Sequence, residues 1–119
     1  MRIILAEDEP AIRTLLSRGL RRFGAQVAEC DTVAAAIEAA REPFDAAVID
    51  ANLADGSGLD AAALLCNLNP AARIVLCSGL PIGLAEAGLP PSAEVSFLQK
   101  PFRIDQMLEA LGLPPLSKA

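Results

Sequence analysis

A chain of 119 residues, 53% of them apolar, is long enough for one buried core and too short for two. Its net charge of −5 argues against a nucleic-acid footprint, which needs clustered cations, and no apolar run approaches the about 20 residues of a membrane span. It contains no histidine, which excludes Ser-His-Asp and Cys-His catalysis, imidazole bases, His-ligated zinc and service as a phosphohistidine carrier.

In chain order, an apolar run IILA ends at Glu7-Asp8-Glu9 and reads as a first strand. Pro10 suits a helix start, where its missing N–H costs little, and Ile12, Leu15, Leu16, Leu20 and Phe23 are expected on one inward face, with Gly24 as the stop. Residues 26–29 form a short second strand. Asp31 or Thr32 caps a second helix, with Val33, Ala36, Ile37 and Ala40 inward and Pro43 ending it. Residues 45–49 are the third strand, and the loop 50–58 leads to a helix whose start, Ser57 with Asp60, looks like a capping box and which closes before Pro70. Residues 73–77 and 94–98 are the fourth and fifth strands. Pro101 is expected to open a last helix with Ile104, Met107, Leu108 and Leu111 on its apolar side, and the tail 112–119 to fray.

Between the last two strands, GLPIGLAEAGLPPS holds three prolines and three glycines in residues 79–92. Gly and Pro cost about 1 and 3 kcal/mol inside a helix, so the fourth helix is expected to be short or irregular. Strands alternating with helices predict a single α/β domain over residues 1–119 with a parallel sheet and right-handed crossovers. The three widely spaced cysteines, Cys30, Cys66 and Cys77, read as reduced cytoplasmic thiols, with Cys77 in the core. The N-terminus reaches acidic residues too early for a signal peptide. Arg18, Arg21 and Arg22 read as a solvated helix face.

Four apolar runs stop at residues that can do chemistry: Glu7-Asp8-Glu9, Asp50, Ser78 and Lys100-Pro101. In a parallel sheet, ligands collect outside the carboxyl ends of the strands, so these groups are expected to converge there. Carboxylates, a hydroxyl and an ammonium can together hold a divalent metal and a phosphoryl group. Taken singly, each has an ordinary reading. The acidic triplet can be a solvated turn favouring the next helix N-terminus, Asp50 and Ser78-Gly79 can be turns, Lys100 can be a surface lysine, and Phe97 can be core.

Taken together and in order, these segments resemble a known family. Ala6-Glu7-Asp8-Glu9, Val48-Ile49-Asp50-Ala51-Asn52-Leu53, Asp55-Gly56-Ser57-Gly58, Leu76-Cys77-Ser78-Gly79 and Phe97-Leu98-Gln99-Lys100-Pro101-Phe102 resemble the motifs of response-regulator receiver domains, over essentially the whole chain. The resemblance implies a flavodoxin-like, doubly wound, five-stranded parallel sheet of order 2-1-3-4-5. It further implies Asp50 as phosphoacceptor and Mg2+ held by Glu7, Asp8, Asp50 and the Asn52 backbone carbonyl. Lys100 and Ser78 would contact the phosphoryl oxygens, Ser78 and Phe97 would act as a switch, and the Lys100–Pro101 bond would be cis. Glu7 in place of the commoner aspartate, Ser78 for threonine, Ala54 for proline and Gly79 for alanine depart from the pattern without removing a reacting group.

The expected function is that of a cytoplasmic phosphoacceptor in a two-component phosphorelay, not an enzyme beyond phosphoryl transfer and autodephosphorylation at Asp50. Its partners would be a histidine kinase or phosphotransfer protein and a downstream protein, with a second copy of the chain a further candidate on activation and no direct contact with nucleic acid or membrane. With no output domain and no basic recognition helix read in the sequence, protein–protein output by a stand-alone regulator is expected, with a phosphate sink, a relay intermediate or a receiver excised from a hybrid kinase as the other readings. Asn52 and Leu80 are expected to tune hydrolysis. The alternative is a phosphorylation-independent pseudo-receiver that scaffolds partners. An aspartyl-phosphate hydrolase would carry a second acid where Asn52 stands, and a flavodoxin-like cofactor binder would not place Glu7-Asp8-Glu9 where phosphate binds.

Overall fold

The computed structural model describes residues 1–79 and 94–113. The expected irregular helix, from residue 80 on, and Leu80 with it, lie outside the described residues, as does the tail from residue 114. The elements in chain order are β1 (Arg2–Ala6), α1 (Pro10–Arg21), β2 (Gln26–Cys30), α2 (Val33–Ala39), β3 (Ala46–Asp50), β4 (Asn52–Leu53), β5 (Gly56–Ser57), α3 (Gly58–Leu68), β6 (Arg73–Ser78), β7 (Glu94–Gln99) and α4 (Ile104–Ala110). Five strands form one parallel sheet in the order β2-β1-β3-β6-β7. This is the 2-1-3-4-5 order expected, once the two-residue antiparallel pair β4-β5 inside the 50–58 loop is counted separately.

The apolar runs become strands because the sheet is covered on both faces. Along β1, β3 and β6, Ile3, Leu5, Ala46, Val48, Val75 and Cys77 point to the face carrying α1 and α4. Their neighbours Ile4, Ala6, Ala47, Ile49, Ile74 and Leu76 point to the face carrying α2 and α3. The three inner strands are thus buried nearly throughout, whereas β7, at one edge, is half-buried along its middle.

Local signals set most boundaries. Pro10 opens α1, Thr32 Oγ1 accepts from the Ala35 N–H at 3.0 Å, and Ser57 Oγ accepts from the Leu59 N–H at 3.1 Å. Gly24 and Gly112 follow α1 and α4 in the left-handed conformation that glycine tolerates, at φ of +80° and +77°. Several expectations are corrected. Asp60 closes no capping box at α3; only Ser57 caps it. Leu15 and Ile37 are exposed rather than inward, because the buried stripe of α1 is centred on Leu16 and Leu20, and that of α2 on Ala36. Pro101 does not open the last helix. The Lys100–Pro101 bond is cis, as the resemblance implied, and α4 starts at Ile104, where Gln106 Oε1 accepts from the Arg103 N–H at 2.8 Å. Gly112 and Leu113 complete the ending of α4. Their N–H groups return to the Glu109 and Leu108 carbonyls at 2.9 and 2.8 Å, the paired bonds of a Schellman ending. Arg21 is more than a solvated charge: it pairs with Glu29 at 3.1 Å. Among the described residues no helix is long and apolar enough to cross a membrane.

Candidate functional site

Backbone hydrogen bonds just beyond the ladders tie neighbouring strands at their carboxyl ends, β1 to β2 and β3 to β6 to β7. The Glu7 N–H donates to the Cys30 carbonyl at 2.9 Å, linking β1 to β2. The Ala51 N–H donates to the Cys77 carbonyl at 2.8 Å, linking β3 to β6, and the Lys100 N–H donates to the Ser78 carbonyl at 2.7 Å, linking β6 to β7. Glu7, Asp50, Ser78 and Lys100 thus all lie at or just past the carboxyl ends of their strands.

Three of them meet directly. Lys100 Nζ lies 2.9 Å from Glu7 Oε1 and 2.9 Å from Asp50 Oδ2, so one ammonium, one residue past β7, is shared by a carboxylate one residue past β1 and another at the end of β3. Glu7, Asp8 and Asp50 each bring a carboxylate oxygen within 4.8 Å of the others. Glu7 and Asp50 are buried, at 2% and 7% exposure, while Asp8 is open to solvent. The remaining oxygens are anchored by amides: Asp50 Oδ1 accepts from the Asn52 N–H at 3.0 Å, and Glu7 Oε2 from the Glu9 N–H at 3.2 Å.

The electrostatics follow from this crowding. Burial raises the Glu7 pKa above the ordinary carboxylate value; the Lys100 hydrogen bond and the Glu9 amide oppose it, and the Asp50 charge adds to it. Burial alone would lower the Lys100 pKa, but its hydrogen bonds to Glu7 and Asp50 together carry it above the ordinary value, so the ammonium persists. A like-charged cluster of hard oxygen donors with one solvent-facing member suits a hard divalent cation that keeps some of its waters. The donor set fits such an ion. Cys77, opposite Asp50 in register, is no competing ligand: burial pushes its thiol up to about 12.

Ser78 is buried at 4% exposure and Asn52 is exposed. Phe97 sits half-buried against the core on the α2–α3 face, which accords with its ordinary reading as a core aromatic.

Four further residues shape this site; Asp55 and Gly58 entered the sequence reading only as part of a motif, and Arg13 and Glu29 with no role at all. Gly58 is one, because a Cβ there would overlap the Asp50 carbonyl oxygen, while its N–H donates to the Ala51 carbonyl at 2.8 Å. Its position directly after the Ser57 cap was the available signal. Asp55, between β4 and β5, is another; its two carboxylate oxygens accept from the Val33 and Ala34 N–H groups at 2.7 and 3.2 Å and tie the loop after Asp50 to the start of α2. Arg13 and Glu29, on α1 and β2, complete the set: Arg13 donates to the Glu7 carbonyl at 2.8 Å and faces Glu29 at 3.7 Å.

Known proteins share both sequence and fold with this chain. It is 37% identical to the photosynthetic apparatus regulatory protein RegA of Rhodovulum sulfidophilum, over 95% of this chain and 64% of that protein, so it spans under two thirds of that relative's length. Among solved structures, a Burkholderia pseudomallei response regulator protein with a phosphorylated aspartic acid, a calcium ion and citrate superposes with a TM-score of 0.78 at 30% identity, covering 92% of this chain and 65% of that one. A response regulator receiver protein from Sinorhizobium medicae gives a TM-score of 0.84 at 27% identity, over 94% of this chain and 91% of that one. The family model for the response regulator receiver domain matches residues 3–112. The sheet order and the match in sequence agree: the chain belongs to the response regulator receiver domain family, the receivers of two-component signalling.

Proposed function

We propose that Asp50 accepts a phosphoryl group from a histidine kinase or phosphotransfer protein, with Mg2+ held by Glu7, Asp8, Asp50 and the Asn52 backbone carbonyl, and that a partner protein reads the modified state. The observation that carries this reading is the position of Lys100 Nζ, 2.9 Å from both Asp50 and Glu7 and beside a third carboxylate open to solvent. The phosphorylated aspartic acid and calcium ion in the Burkholderia pseudomallei protein support it.

In the proposed step an Asp50 carboxylate oxygen attacks phosphorus, the P–N bond to the donor imidazole breaks, and the imidazole leaves with that electron pair and is protonated. The bound dication would neutralise charge on the transferring phosphoryl oxygens. Lys100, kept charged by its two carboxylate partners, would turn from Asp50 to the new phosphoryl oxygens, and the buried Ser78 hydroxyl would engage another. Phe97 would follow Ser78 inward. Water attacking the same phosphorus would restore Asp50, so the chain serves as a timed switch with no other substrate.

Incubation with Mg2+ and acetyl phosphate, followed by intact mass measurement, tests the reading. A single labile phosphoryl adduct is expected, absent in Asp50→Ala and in EDTA. No adduct from acetyl phosphate or from histidine kinases, and no effect of beryllofluoride, would instead leave a protein-interaction scaffold that works without phosphorylation.

A further inference from the structure

Glu7 is fixed at every polar atom. Its N–H donates to Cys30, its Oε1 accepts from Lys100 and its Oε2 from the Glu9 amide. Its carbonyl, one residue past the end of β1, accepts from Arg13 Nη1 at 2.8 Å. The same guanidinium presents Nε to Glu29 Oε1 at 3.7 Å, and its side chain is only 21% exposed. Glu29 is itself held from α1, since Glu29 Oε2 accepts from Ser17 Oγ at 3.0 Å and from Arg21 Nη2 at 3.1 Å. Ser17, buried, also accepts from Arg21 Nε at 2.9 Å. A connected polar strap thus runs from β2 through α1 to the backbone of the most buried acid in the site.

We infer that Arg13 is a positioning residue for the cation site, acting through Glu7 and anchored by Glu29. This rests on the proposed reading of Glu7, Asp8 and Asp50 as cation ligands. Glutamate has one more rotatable bond than aspartate, so an aimed Glu7 carboxylate loses more side-chain freedom and depends more on a rigid backbone. An arginine suits the task because its fork offers separate N–H groups to a carbonyl and a carboxylate at once, which a lysine ammonium on a flexible stem does less well. Mg2+ demands near-ideal octahedral geometry, whereas Ca2+ accepts irregular coordination. A loosened Glu7 should therefore weaken Mg2+ more than Ca2+.

Titration calorimetry of Mg2+ and Ca2+ against the wild type, Arg13→Ala, Arg13→Lys, Glu29→Gln and Arg21→Ala tests this, with circular dichroism confirming that each variant is folded. Arg13→Ala is expected to lose about tenfold in Mg2+ affinity, the lower end of what outer ligand-supporting residues contribute. Its Ca2+ affinity should fall less, with Arg13→Lys and Glu29→Gln intermediate. Arg21→Ala removes one hold on Glu29 and leaves the Glu29 charge beside Arg13, so it is expected to lower the melting temperature and to cost less Mg2+ affinity than Glu29→Gln. Equal Mg2+ and Ca2+ affinities in wild type and the Arg13 and Glu29 variants, or equal losses for both ions, would overturn the inference and leave Arg13 a structural residue. A wild type that binds neither ion would overturn the reading of the site itself. Should Arg13→Ala fail to fold, Arg13→Lys and Glu29→Gln decide by the same ratio of Mg2+ to Ca2+ affinity.

Discussion

Lys100 serves the fold and the proposed chemistry at the same atom. Without it, Glu7 and Asp50 would face each other as buried carboxylates near Asp8, with only backbone amides to offset their repulsion. The Lys100 side chain is 24% exposed, so part of this attraction is screened, yet its partners at 3% and 9% are not. Lys100→Met is therefore expected to melt at lower temperature than the wild type in EDTA. A bound dication should replace the lost positive charge, so Mg2+ should raise the melting temperature of Lys100→Met by more than that of the wild type. Linkage gives about 2.7 kcal/mol at an ion concentration 100 times the dissociation constant. Thermal unfolding with and without Mg2+ checks this; equal Mg2+ effects on the two proteins would show that the lysine and the ion do not share one site. Phosphorylation from acetyl phosphate should remain slow in the variant even with Mg2+, because the ion cannot also take the place of the ammonium on the phosphoryl oxygens.

At the scale of elements, the loop from β3 to α3 is held at both ends by contacts that reach across it. Gly58 lies so close to the Asp50 carbonyl that Gly58→Ala must push backbone against backbone. Overpacking of this kind costs about 1–3 kcal/mol, and urea unfolding should show that loss together with slower adduct formation at Asp50. Asp55 fastens the other side of the loop to the α2 amides of Val33 and Ala34, and the Val33 bond, with Ala34 adding to it, draws its pKa below the ordinary 3.8. A depressed folded pKa contributes stability that is complete above the unfolded value and disappears as pH falls through the folded one. The wild type should therefore exceed Asp55→Ala in melting temperature at pH 6, and the difference should shrink below about pH 3.8. A difference that stayed constant down to pH 2 would rule out the ionised carboxylate as its source.

These contacts also mark where sequence stops being informative. The strands were legible because a parallel sheet covered on both faces needs unbroken apolar runs, and the site was legible because Glu7, Asp50, Ser78 and Lys100 stand where those runs end. Arg13 with Glu29 and Asp55 with Val33 were not, since each joins elements 16 or more residues apart through a charged side chain that could equally have faced water. Leu15 and Ile37 misled for a related reason: helical spacing identifies an apolar stripe but not how the helix rolls onto the sheet.

Across the described residues, the sheet is buried most fully in its middle, and the proposed switch lies at one edge. β1, β3 and β6 are flanked on both sides and buried by both cores, whereas β7 pairs only with β6 in the described sheet and its side chains are half-buried or exposed. Edge segments with fewer buried contacts open at lower free energy than the centre. Amide hydrogen exchange should therefore be slowest in β1, β3 and β6 and faster in β7. The proposed switch adds a second expectation, because Ser78, Phe97 and Lys100 all belong to the β6–β7 side, where the Lys100 N–H meets the Ser78 carbonyl at 2.7 Å. Mg2+ with beryllofluoride, standing in for the phosphoryl group, should slow exchange at residues 97–100 while leaving β1 and β2 nearly unchanged. A ligand that drew Lys100 and Ser78 together would protect that amide specifically, whereas simple stabilisation of the native state would slow every globally exchanging amide alike. Uniform slowing would thus support ion binding yet sink the idea of a switch at Ser78 and Phe97. Slowing confined to the β7 end would place the conformational response on the edge of the sheet, where a partner could read it.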